Sequence, residues 1–176
     1  SANLQNYRWE GYSIPSLGGL PHKIFEGGGG RFRPDGKRVG YIRGFIPRWN
    51  PSPSGKIEFW SVGIEGADAR REFIDSVSLI NDGSVSFSYS PDGRKVAWLR
   101  TFSEKYQEIV IHDLESGHEI AITSDKNNID ELTWVRENQI VYSTNKSGIF
   151  NVWMVSAEGG DPQQITNMTE PILGVK

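Results

Sequence analysis

The sequence contains no cysteine. Thiol nucleophiles, thiolate metal sites and disulfide staples therefore lie outside its chemistry. The compartment stays open, because a chain of 176 residues can bury enough surface to stand without cross-links. No run approaches the roughly 18 consecutive apolar residues a bilayer-crossing helix needs, so no membrane insertion is expected. Positive charge is not in excess either: 19 Lys and Arg stand against 22 Asp and Glu, a formal net charge of −3. Nucleic-acid surfaces are usually basic, so no nucleic-acid partner is expected. No secretory leader pattern opens the chain. Its abrupt start at Ser1-Ala2 reads as a domain excised from a larger protein.

What is abundant is turn-forming residues, 20 Gly and 9 Pro, as a fold of many short strands requires. The stretch from Ser84 to Asp125 shows the pattern most fully. Val85, Phe87 and Tyr89 alternate with small polar residues at the period of a half-buried strand. Pro91-Asp92-Gly93 then breaks the run. Pro presets the first corner of a type I turn, Asp tolerates the second, and Gly takes the left-handed position that follows. Lys95–Leu99, Glu108–Leu114 and His118–Thr123 supply three more strands, the last two joined across Glu115-Ser116-Gly117. Four antiparallel strands in about 42 residues make one propeller blade.

The same unit recurs along the chain. Residues 1–26 hold the back half of a blade, with Tyr7–Ile14 and Pro21–Phe25 as its strands. A blade over 27–75 uses Pro34-Asp35-Gly36 as its first turn. Its third and fourth strands are Lys56–Val62 and Arg70–Ile74. Residues 84–125 are the blade just described. In the unit over 130–168 the first turn is Arg136-Glu137-Asn138, with Asn138 able to occupy the left-handed position. Residues 169–176 read as the start of another blade, with Pro171–Val175 as its first strand. Phe32, Tyr89 and Trp134 share one register position, 57 and 45 residues apart. The turn glycines Gly19, Gly66, Gly117 and Gly160 are spaced by 47, 51 and 43. The fold expected is all-β, a propeller of four-stranded antiparallel blades, with about three to four blades in this chain.

Phe32-Arg33-Pro34-Asp35-Gly36-Lys37 and Tyr89-Ser90-Pro91-Asp92-Gly93-Arg94, each followed by a Val-rich strand, resemble the WD40-like repeat of TolB-type β-propellers. Asn151–Val155 with Gly159–Thr166 and Tyr12–Pro15 with Gly18–Pro21 fit the same repeat. The resemblance covers nearly the whole chain. It implies a bacterial, extracytoplasmic (periplasmic or cell-surface) protein. Relatives of this kind include protein-binding propellers, sensor-like repeats attached to kinases, and the propeller that caps prolyl-oligopeptidase-type hydrolases. Complete propellers of this kind usually have more blades than this chain supplies.

Chemical candidates are few. No G-x-S-x-G nucleophile elbow is present. Gly27–Gly30 lacks the spacing of a phosphate-binding loop and reads as a connection between blades. His112 and His118 flank one hairpin, yet two imidazoles without a third ligand make a poor metal site, so they read as ordinary hairpin residues. Asp125–Glu131 lacks the Gly and closing Glu of a calcium loop and reads as a solvated connection. Neither metal nor cofactor is expected. Trp60, Trp98, Trp134 and Trp153 fall on strands, where filling the space between blades explains them. Arg48 and Trp49 differ. They lie in the Pro-rich loop Phe45–Gly55, have no core to enter, and are residue types enriched in interface hot spots. The simpler reading of that loop is an insertion packed on its own blade.

The expected function is a non-enzymatic binding, interaction or sensor module with a protein or peptide partner. The alternative is the substrate-gating propeller of a prolyl-oligopeptidase-type hydrolase whose catalytic domain lies elsewhere. An enzyme using acidic residues around a central channel is the third reading. Exposed terminal edge strands invite association. They predict a homodimer in which the C-terminal strand of one copy completes the N-terminal half-blade of the other.

Overall fold

A computed structural model describes residues 9–43, 57–75, 86–103, 106–124 and 127–170. Among them the regular structure is all β, in fourteen strands. A two-stranded sheet pairs β1 (Glu10–Ser13) with β2 (His22–Glu26). Three four-stranded meanders follow in chain order. The first holds β3 (Gly28–Phe32), β4 (Arg38–Arg43), β5 (Ile57–Gly63) and β6 (Arg70–Asp75). The second holds β7 (Phe87–Tyr89), β8 (Lys95–Ser103), β9 (Tyr106–Asp113) and β10 (Glu119–Ala121). The third holds β11 (Ile129–Arg136), β12 (Gln139–Thr144), β13 (Asn151–Ser156) and β14 (Gln163–Gln164). All pairings are antiparallel. These are propeller blades.

The turns follow the sequence chemistry. Gly93 N–H donates to Ser90 C=O at 2.8 Å and Gly36 N–H to Arg33 C=O at 2.8 Å. Gly93 and Gly36 have φ of 69° and 67°, the left-handed position predicted for them. The Asp side chains fold back to accept the N–H two residues on, Arg94 to Asp92 at 3.0 Å and Lys37 to Asp35 at 2.9 Å. The third first turn departs from expectation, because Asn138 is not left-handed. The register shift between Trp134 and Arg136 supplies the local twist instead, and the Asn138 side chain donates to Ser156 Oγ at 3.1 Å.

A second correction concerns Gly27–Gly30. Three of these glycines belong to strand β3, paired with β4, rather than to a connection. Crowding explains the composition. A Cβ on Gly27 would lie 2.3 Å from the Ile42 carbonyl oxygen, and one on Gly30 2.7 Å from Phe25 Cζ.

Register identifies the two-stranded sheet. β1–β2 pairs Glu10 with Glu26 and Gly11 with Phe25, then slips by one residue to pair Tyr12 with Lys23. β5–β6 pairs Glu58 with Ile74 and Phe59 with Phe73, then slips at the same place to pair Trp60 with Arg71. β1–β2 is therefore the outer half of a blade.

Contacts divide the chain into two compact units, Ser1–Val85 and Ser86–Lys176. In the first, Val39, Tyr41 and Val62 form a core with Ile24, Phe25 and Trp60, so the half-blade packs on the blade that follows it. Phe25 stacks on Tyr41 at 4.6 Å between centroids. In the second, Ala97, Leu99, Ile109 and Ile111 of one blade pack against Leu132, Trp134, Ile140 and Tyr142 of the next. Ser86 and Ser88 also cross between these blades, their hydroxyls accepting the Leu132 and Trp134 N–H groups at 3.0 Å each. The strand expected at Pro171–Val175 lies outside the described residues, as does the loop Phe45–Gly55.

Candidate functional site

A four-stranded meander puts its first and third turns at one end of the sheet. At the other end the second strand stops, the third starts and the fourth stops. In the blade β3–β6 that second end carries a cluster of charged and aromatic side chains. Arg43, the last residue of β4, lies opposite Glu58 of β5. Its guanidinium carbon sits 4.3 Å from the Trp60 ring centroid and 5.5 Å from that of Tyr41. Arg43 Nε also donates to the Glu26 carbonyl at 3.4 Å. Glu58 accepts the Trp60 indole N–H at 2.9 Å and an Arg71 guanidinium N–H at 3.1 Å. The indole hydrogen bond, followed by that from Arg71, holds the Glu58 carboxyl below the usual range. Burial pushes the Tyr41 phenol up, so it stays neutral at any physiological pH. Arg43, Trp60, Glu58 and Arg71 thus form one network beside the buried Tyr41 ring.

The blade β7–β10 repeats the arrangement with different partners. Arg100 of β8 lies opposite Glu108 of β9, at 3.6 Å, and donates to Glu119 at 3.0 Å. Arg100 holds the Glu119 carboxyl low. His112 is buried and faces Glu119, with Nδ1 3.7 Å from Oε2. The histidine pair considered from sequence is thus resolved: register sets Glu119, not His118, opposite His112. Among the described residues, no three His, Asp or Glu side chains gather where a metal could be held. The expected loop before β11 gives way to strand by Ile129, and Ile129 N–H donates to the Gln107 side chain at 2.6 Å.

In the blade β11–β14 the equivalent pair is Thr144 opposite Asn151. Asn151 Oδ1 accepts the Thr166 hydroxyl at 2.9 Å and the Met168 N–H at 2.7 Å, closing that end with neutral groups. At its opposite end lies a groove of about 310 Å³, lined by Asn138, Gln139, Met154, Ser156, Asp161 and Gln163. It is polar and shallow, and no titratable pair converges on it.

The sequence-based candidates Arg48 and Trp49 lie outside the described residues, in the segment that joins Arg43 to Ile57. The Arg43–Trp60–Glu58–Arg71 cluster went unrecognised from sequence. Its signal is present in Val39-Gly40-Tyr41-Ile42-Arg43 and Val96-Ala97-Trp98-Leu99-Arg100, which repeat one pattern, and in Glu10-x-Tyr12 and Glu58-x-Trp60, which repeat another. Neither pattern acquires meaning until the register sets them side by side.

No protein-family model matches the sequence. Among solved structures, TolB from Acinetobacter baumannii superposes with a TM-score of 0.65 at 14% identity, over 89% of this chain and 37% of that one. A putative TolB from Agrobacterium tumefaciens gives 0.67 at 17%, over 91% of this chain and 56% of the other. A puromycin hydrolase gives 0.68 at 17%, over 91% of this chain and 28% of the other. The chain thus has the TolB-like propeller fold, and it spans less than two thirds of each of these structures.

Proposed function

We propose that this propeller chain is a non-enzymatic interaction module for a protein or peptide partner, acting outside the cytoplasm. The observation that carries this reading is the Arg43–Trp60–Glu58–Arg71 platform at the blade end from which the segment bearing Arg48 and Trp49 departs. Aromatic and Arg side chains beside one another are the composition of interface hot spots. The TolB-like fold and the extracytoplasmic setting that the resemblance implies support the same reading. The test is partner capture with Arg48→Ala and Trp49→Ala chains. Loss of a partner retained by the parent chain supports the site, and unchanged capture by both variants rejects it.

The likeness to puromycin hydrolase favours a second reading, a propeller that gates access to a catalytic domain on the same polypeptide. An α/β-hydrolase sequence downstream in the parent gene would decide for it. Under either reading we also propose a homodimer, with residues 169–176 of one copy pairing with the half-blade of another. Light scattering on the chain with and without Thr169–Lys176 checks this. A chain that is monomeric at every concentration ends the dimer.

A further inference from the structure

Two arginines hold equivalent places in their blades and are neutralised differently. Arg43 of β4 stands opposite Glu58 of β5, and Arg100 of β8 opposite Glu108 of β9. Arg100 has two carboxylates of its own blade beside it, Glu108 at 3.6 Å and Glu119 at 3.0 Å. In the blade β3–β6 the carboxylate opposite the arginine is engaged elsewhere. Glu58 accepts the Trp60 indole N–H at 2.9 Å and pairs with Arg71 at 3.1 Å. Arg43 keeps one polar contact, the long one to the Glu26 carbonyl, and two ring faces, those of Trp60 and Tyr41. Among the described residues, no Asp or Glu forms an ion pair with it. The contrast is set by the strands of each blade, because both carboxylates of Arg100 and the partners that hold Glu58 are internal to their own sheets.

The adjoining chain carries no carboxylate for Arg43 either. Residues 44–56, which join β4 to β5, contain Arg48 and Lys56 and neither Asp nor Glu. Residues 1–8 also contain neither. Stacking then decides what Arg43 can do. With its guanidinium carbon 4.3 Å from the Trp60 ring centroid, the group is held against a ring face. The N–H groups of a guanidinium lie in its own plane, as a fork that matches the two oxygens of a carboxylate. Arg43 is half-buried, so water and salt screen such a contact less than on an open surface.

We propose that Arg43 is the anchor for a carboxylate of the peptide partner, so that the segment recognised at this blade end is acidic. Trp60 and Tyr41 hold the guanidinium in place, and Glu58, kept on Trp60 and Arg71, leaves its fork to the incoming group. The carboxylate is that of an Asp or Glu side chain or of a C-terminus, and the two sources share one chemistry. This rests on the protein-binding reading above and names the group that the site selects.

The probes are three peptides titrated into isotope-labelled chain: acetyl-Gly-Phe-Glu-Phe-Gly-amide, the same peptide with Gln for Glu, and the Gln peptide with a free C-terminus. The Arg43 Nε–H and Trp60 indole N–H signals report binding. Saturable shifts of both are expected with the Glu peptide if a side chain is read, or with the free-acid peptide if a C-terminus is read. The neutral Gln amide should bind about ten-fold more weakly or worse. Arg43→Gln should abolish this discrimination, and Arg43→Lys, which keeps the charge without the planar fork, should weaken it. Lys37→Gln removes the same charge at the first turn of the blade and should change nothing. Binding that ignores peptide charge, no shift with any of the three, or equal losses in Arg43→Gln and Lys37→Gln would overturn the proposal. Amide dispersion of each variant confirms that the blade is intact. Capture lost in the Arg48 and Trp49 variants while the peptides bind without regard to charge would keep the site and reject the carboxylate, so the two failures are distinguishable.

Discussion

Gly93 shows how one residue decides a hairpin. At φ 69° it occupies backbone that a β-branched residue enters only under strain, and its N–H closes the turn on Ser90. Gly93→Val should cost roughly 1–2 kcal/mol, read as a lower thermal midpoint. An unchanged melting curve would remove the turn assignment. The neighbouring carboxylate adds a pH dependence. Asp92 accepts the Ser90 hydroxyl at 2.6 Å and the Arg94 N–H at 3.0 Å, which together hold its pKa down, the hydroxyl contributing most. A depressed carboxyl contributes stability above its unfolded value of about 3.9 and loses it as pH falls through the folded value. Asp92→Asn should therefore melt below the parent at neutral pH, and the gap should narrow as pH falls below the unfolded value of about 3.9. A gap that stays constant across that range would place the stabilisation elsewhere. Both Pro-Asp-Gly turns were legible because their chemistry is contiguous in sequence. Gly27 was not, because what forbids a side chain there is the carbonyl of Ile42, fifteen residues away and across a strand pair.

At the scale of the strand, the fourth strand of a blade is held by a side chain at its end. Thr123 Oγ1 accepts the Ile109 N–H at 2.8 Å, and Thr166 Oγ1 accepts the Val152 N–H at 2.9 Å. Each Thr follows an Ile whose own N–H continues the ladder, Ile122 to Ile109 and Ile165 to Val152. The hydroxyl thus stands in for a carbonyl after the backbone ladder stops. Thr123→Val keeps the shape and removes the acceptor, leaving the Ile109 N–H buried without it. A cost of about 1–3 kcal/mol is expected, measured as a shift in the urea midpoint at constant slope. A shift within error would mean that another acceptor takes over. Strand positions were readable from alternation and turn residues. Which face each strand turns to its neighbour was not. Arg43, Glu58, Trp60 and Arg71 come from three strands, and only the pairing of Arg43 with Glu58 and of Trp60 with Arg71 brings them together. Residue type and proline content alone mark the loop around Arg48 and Trp49 in the sequence, and the cluster of Arg43, Glu58, Trp60 and Arg71 has no such local marker.

At the scale of the whole chain, stability is distributed unevenly between repeats. In a repeat protein each unit is held by its own packing and by the interface with its neighbour. The unit Ser86–Lys176 joins two complete blades through a core of aliphatic and aromatic side chains that includes Leu99, Ile109, Ile111, Trp134 and Ile140. The half-blade has no buried residue in either of its strands; Ile24 and Phe25 reach the core of the following blade only half-buried. Tyr12, Ile14, Leu17 and Leu20 are exposed. Opening β1–β2 should therefore require far less free energy than opening β8–β9 or β12–β13. Native-state hydrogen exchange reads this directly. The amides of Gly11, Tyr12, Lys23 and Phe25 should exchange first among the paired strands, with those of Ile109, Ile111, Ile140 and Tyr142 last. Protection of β1 should also rise with chain concentration if the edges pair between copies. Protection in β1–β2 equal to that in β12–β13, in a monomeric sample, would show that the half-blade is stable by itself.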